Sequence, residues 1–119
     1  MENFIITFST LPGKEQEVTE FYTSLQPEYD AAKGFRGRSI YRARPGTMAH
    51  HLSKVMTPEQ MAKHPDPGED GSVHFIIIEQ WDSIEDRMAF SATQDKSRNA
   101  ALFPKLKPEH THEYYEQIS

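Results

Sequence analysis

The strongest constraint on this chain is a change of hydrophobic period within residues 72–92. Val73 to Ile78 is the most apolar run, and Trp81, the single tryptophan, closes it. Beyond Asp82-Ser83 the apolar residues recur at helical spacing. Ser83 is a good N-cap, and Asp86 stands where a capping box carries Glu. A strand feeding directly into a helix is predicted here, and the remaining elements are read around it.

Residues 3–9 alternate, with Phe4, Ile6 and Phe8 on one side and Ile5 and Thr7 on the other. Both sides favour β-structure, which predicts a central strand. Residues 14–33 follow as a helix whose apolar face is Val18, Phe21, Tyr22, Leu25, Tyr29 and Ala32. Pro27 should kink or split it, and Gly34 should stop it. Residues 35–44 alternate again. Phe35, Gly37, Ser39, Tyr41 and Ala43 face one way; Arg36, Arg38, Ile40, Arg42 and Arg44 face the other. So many arginines on one face predict an edge strand. Residues 45–71 form a long excursion with one short helix, capped by Thr57 and Gln60 with Pro58 at its start. Thr93 is expected to cap a further helix running to about Phe103. Pro104 stops it, and a last strand is expected over residues 109–118.

The order is β-α-β-excursion-β-α-β. An antiparallel sheet with helices on one face satisfies it, and the right-handed crossover rule selects a ferredoxin-like α+β arrangement with strand order 4-1-3-2. All 119 residues are read as one domain with the excursion inserted. The other sheet face would leave Ile5 and part of the 73–78 run exposed, and self-association as a homodimer is the expected cover.

The net charge of −5 argues against binding a nucleic-acid backbone. No run is long enough to span a membrane. The absence of cysteine excludes disulfides and thiolate chemistry, and it fits a reducing cytoplasm. Met1-Glu2-Asn3-Phe4 lacks the basic and apolar regions of an export leader, so a cytoplasmic protein is expected.

Leu11-Pro12-Gly13-Lys14, Gly34-Phe35, and the segment from Phe75 through Glu79-Gln80-Trp81-Asp82-Ser83 together resemble the antibiotic biosynthesis monooxygenase domains of the dimeric α/β-barrel superfamily. The segment 90–106 extends the likeness, which covers most of the chain outside 45–71. The resemblance implies a homodimer with its sheets packed face to face and a pocket between sheet and helices. It also implies oxygenation of a small aromatic, phenolic or quinol-type, without metal or flavin cofactor. Phe90 stands where members often carry His. The Asn, Trp and His of the haem-degrading relatives align with Ile6, Phe90 and Ala100, so a haem function is not expected.

Two residues stand out as catalytic candidates. His74 is the leading general base, since imidazole titrates near working pH. Trp81 is read first as structural, with assistance to oxygen chemistry as its functional reading. Phe8, Tyr22, Tyr41, Phe90 and Tyr114 are the expected aromatic walls for a flat substrate. A non-oxidative binding protein, isomerase or lyase could use the same pocket. His50, His51, His64, His74, His110 and His112 all map to one rim of the sheet. With Asp66, Glu69 or Glu109 they could hold a metal, although no compact metal motif is present and a solvated rim is the plainer reading. The arginine face of the second strand could clamp an anion or simply protect an edge. Met48, Met56 and Met61 suggest an adaptable lid.

Overall fold

The computed structural model describes residues 1–64 and 68–119. Four strands form one antiparallel sheet: β1 (Glu2–Thr10), β2 (Phe35–Arg42), β3 (His74–Trp81) and β4 (Leu106–Tyr115), in the order β2-β3-β1-β4. This is the expected 4-1-3-2 order. Its central pair matches Phe8 with Phe75 and Ile6 with Ile77. Alternation turns Ile6, Phe8, Phe75, Ile77 and Trp81 to one face, where they are buried, while Ile5, Ile76 and Ile78 point to the other.

The helices cover the buried face. Val18 of α1 (Glu15–Ser24) and Leu102 of α6 (Lys96–Leu102) pack on Ile6, Phe8, Phe75 and Ile77. Leu25, Tyr29 of α2 (Gln26–Asp30) and Phe90 of α5 (Ile84–Thr93) enclose Trp81 at the other end. The helix expected over 14–33 is split at Leu25, between α1 and α2. Pro27 lies in the first turn of α2, where its missing N–H costs nothing.

Several boundaries differ from the sequence reading, each for a local reason. Asp95, not Thr93, caps α6: its carboxylate accepts from the Ser97 N–H at 2.9 Å, while Thr93 ends α5 by donating to the Phe90 carbonyl. The last strand begins at Leu106 and includes Pro108, which an edge strand tolerates. Its register slips around that proline, with Phe8 opposite His110 but Thr10 opposite Leu106. In β2 a bulge at Arg36 pairs Phe35 with Trp81 and Gly37 with Gln80. The bulge returns Phe35 to the core beside Trp81, against the simple alternation.

The excursion holds two short helices, α3 (Thr47–Ser53) and α4 (Pro58–Ala62). The second carries the expected capping box, with Thr57 accepting from the Gln60 N–H and Gln60 accepting from the Thr57 N–H. The first was not visible in the sequence, because its apolar residues bury nothing in the chain. The expectation placed on Asp66 lies outside the described residues. Among those described, no helix is long and apolar enough to cross a membrane.

A candidate aromatic cleft between sheet and helices

The buried end of β3 carries a charge. Glu79 is fully enclosed, and three side chains donate to it: Tyr29 Oη at 2.8 Å, Trp81 Nε1 at 2.9 Å and Arg87 Nε at 2.6 Å. A carboxylate so placed is held only by its donors, because its desolvation must be offset locally. The guanidinium of Arg87 lies over the Phe4 ring at 4.4 Å and fixes the start of α5 against the sheet. Burial and the neighbouring Glu79 raise the Tyr29 hydroxyl pKa, so Tyr29 remains a donor. The network locks Trp81 in place. Trp81 is wholly buried, with Phe35 and Phe90 rings each 5.3 Å from it.

Beside this network the helices stand off the sheet and leave a cleft with two lobes, of about 210 and about 370 Å³. Ile6, Tyr22, Phe103 and His112 wall both lobes. The larger lobe runs along β1 and β4 over Phe8, Leu106, Pro108 and His110. The smaller reaches between α2 and α5–α6, past Phe90 to Arg87 and Gln94. Its outer side is crossed by an ion pair from Arg98 of α6 to Glu28 of α2, with both contacts within 2.7 Å. Phe75, Phe8 and Tyr22 form a continuous stack at 5.1 and 5.2 Å and supply a flat aromatic wall.

His112 is the imidazole common to both lobes. It sits opposite Ile6 in the sheet register, with its ring 6.1 Å from Phe4 and 5.1 Å from His110. Partial burial lowers its pKa below the ordinary 6.5, and His110 and Arg87 push the same way. At neutral pH it is therefore uncharged and able to accept a proton. Burial, reinforced by Glu79, raises the Tyr22 hydroxyl to about 12, so it stays protonated as a donor.

The residues singled out in the sequence divide between cleft and elsewhere. Phe8, Tyr22 and Phe90 line the cleft. Tyr114 shares the inner face but meets the Phe4 ring at 4.8 Å in a tilted contact, outside both lobes. Tyr41 pairs with Ile76 on the opposite face of the sheet and is exposed. His74 also lies on that opposite face, across from Ser9, with 2.9 Å between its Nδ1 and Ser9 Oγ. Trp81 is sealed in the core. Neither catalytic candidate reaches the cleft, and Arg87 and His112 stand there instead. The signal for His112 was its i, i+2 relation to His110, but only the strand register shows which face they share.

The histidine rim is divided by the sheet in the same way. His110 and His112 are on the inner face, His74 is on the outer, and His50 and His51 ride on α3. Among the described residues no three His, Asp or Glu side chains converge as metal ligands. Three of the four arginines expected on one face of the second strand are engaged within the chain. Arg36 pairs with Asp82, Arg38 donates to the Tyr22 carbonyl and to Gln26, and Arg42 donates to Thr19.

No protein-family model matches the chain, and no curated protein matches it. Solved structures do. A crystal structure of an antibiotic biosynthesis monooxygenase superposes with a TM-score of 0.64 at 15% identity, covering 100% of both chains. SnoaB, a cofactor-independent oxygenase from Streptomyces nogalater, gives 0.59 at 15% identity over 98% of this chain and 95% of its own. The NE2512 protein of unknown function from Nitrosomonas europaea gives 0.61 at 14% identity, covering 99% of this chain and 89% of its own. The chain has the fold of the antibiotic biosynthesis monooxygenase domains.

Proposed function

We propose that the chain is a cofactor-independent monooxygenase that takes a small phenolic or quinol-type aromatic into the two-lobed cleft, and that it works as a cytoplasmic homodimer. The observation that carries the reading is His112, an imidazole whose pKa is lowered by partial burial, common to both lobes beside the aromatic rings of Tyr22 and Phe103. The fold shared with SnoaB supports it. The base expected at His74 is assigned to His112, because His74 lies on the other side of the sheet.

The chemistry follows from that placement. An activated C–H or O–H of the bound aromatic loses its proton to His112, leaving a delocalised anion between the Phe8–Tyr22 stack and Phe103. That anion is electron-rich enough to pass one electron to dioxygen. The resulting radical and superoxide combine into a peroxide, His112 returns its proton, and water leaves. For an anthrone-type methylene the balance is CH2 plus O2 to C=O plus H2O. The Tyr22 hydroxyl, still protonated, can donate to a developing oxyanion.

The test is oxygen uptake with a panel of anthrones and quinols. One O2 consumed per carbonyl formed is expected. Turnover that proceeds unchanged under argon would instead make this a proton-transfer enzyme, an isomerase or lyase using the same base. Binding without turnover in air or argon would leave a ligand carrier.

A further inference from the structure

The excursion has no place in the chemistry above, and its helices have no place in the core. The helices α3 and α4, of seven and five residues, contain no buried residue. Among the secondary-structure elements they pack chiefly on each other. Met48 is 65% and Val55 69% exposed, and Leu52, Met56 and Met61 are only partly covered. Helices this short gain their stability from packing rather than from propensity. Here the chain supplies little packing.

Position and charge indicate what covers them. Met48 and Ala49 share a hollow with His74, whose side chain stands on the outer face of the sheet. The apolar side of α3 therefore continues the exposed surface formed by Tyr41 and Ile76. Residues 44–64 carry Arg44, Lys54 and Lys63 against the single acid Glu59, in a chain whose net charge is −5. Among the described residues none of these three cations has a carboxylate partner. The same outer face carries acids at its far edge. Glu113 lies opposite Ile5, and Glu109 alternates onto the same side of β4. Both are exposed. One molecule thus presents a basic arm at the β2–β3 end of its outer face and, on its β4 edge, two acids that among the described residues have no cationic partner.

We infer that residues 44–64 form a basic arm that packs on the outer sheet face of a second copy of this chain, with Lys54 and Lys63 set against the partner's acidic β4 edge. The inference rests on the homodimer in the proposed function and adds the arm to its interface. A two-fold axis makes each contact twice, so one substitution removes two.

Sedimentation of wild type, Lys54→Glu/Lys63→Glu, and that variant combined with Glu109→Lys/Glu113→Lys tests it, with far-UV circular dichroism as a check on folding. All four sites are exposed, so no variant disturbs the core. The wild type is expected to dimerise at micromolar concentration. Reversing the arm should weaken the dimer about tenfold or more and flatten its salt dependence, and reversing the acids as well should restore it. A dimer indifferent to the arm reversal, yet broken by Ile76→Asp, overturns the arm and leaves the homodimer standing. A loss that the second reversal does not restore overturns the pairing with Glu109 and Glu113. A monomeric wild type overturns both arm and homodimer, while the oxygen-uptake assay decides the oxygenase separately.

Discussion

At the scale of single residues, function turns on which of two histidines meets the cleft. His74 and His112 both lie on strands of one sheet, yet they point to opposite faces. His112 has its pKa lowered, with burial the largest cause and His110 and Arg87 adding to it. Glu79 works in the opposite direction, but its charge is already neutralised by Arg87. The sign of the pH dependence follows. A general base works when unprotonated, and His112 is unprotonated above a pKa that lies below 6.5. The pH profile of kcat/KM for an anthrone is expected to rise through the acid range and to be level by pH 7. His112→Phe, which keeps bulk and aromaticity, should lower kcat by about a hundredfold or more with little change in KM. A profile still climbing above pH 7, or full activity in His112→Phe, would remove His112 from the reaction. His74→Phe should leave the rate near wild type, which separates the two assignments in one experiment.

At the scale of elements, the passage from β3 into α5 depends on a contact with another part of the chain. Gly34 follows the α1–α2 segment, and its carbonyl accepts from the Asp82 N–H at 2.8 Å. It adopts a φ of +81°, and a Cβ there would fall 2.1 Å from Asp86 Oδ2. Ser83 caps α5 by accepting from the Asp86 N–H, so Asp86 cannot retreat without disturbing that cap. Gly34→Ala is therefore strained twice, by conformation and by collision. It is expected to cost about 2–3 kcal/mol in a urea melt, where a left-handed alanine alone costs about 1. A loss under 1 kcal/mol would mean that the turn rearranges freely. Gly34 and the Ser83 cap were both legible in the sequence, as were all four strands and their order, because hydrophobic period and capping chemistry are local. The site was less legible because it depends on register. The bulge at Arg36 decides which face Phe35 occupies, and the pairing of β4 with β1 decides which face the β4 histidines occupy. Both are set by pairing with residues far along the chain. The Glu79 network was hidden for a similar reason: its cation, Arg87, comes from α5 and not from the arginine-rich strand.

At the scale of the whole molecule, the sheet has one face buried under helices and one that, among the described residues, is met only at His74 by the start of α3. Ile5, Ile76, Ile78, Tyr41 and Tyr115 lie on the open face, with Thr7 and Thr111 hydrogen-bonded between them. Two neighbours in β3 separate folding from assembly. Ile77 is 1% exposed in the core, whereas Ile76 is 37% exposed on the open face. The same chemical change at each should then have opposite consequences, because successive strand residues face opposite sides. Ile77→Asp buries an unpaired carboxylate and leaves a void in the core, a combination of about 4 kcal/mol or more that would take up most of a small domain's stability. It is expected to be largely unfolded by circular dichroism. Ile76→Asp loses no core contact. It should keep the wild-type spectrum while sedimenting as a monomer, its melt lowered only by the lost association and no longer dependent on concentration, since in a two-fold interface the new carboxylates would be desolvated on both subunits. If Ile76→Asp stays dimeric, the subunits meet through another surface, and the open face must find its cover elsewhere. If it unfolds as Ile77→Asp does, the open face is needed for folding itself, and the chain has no stable monomer.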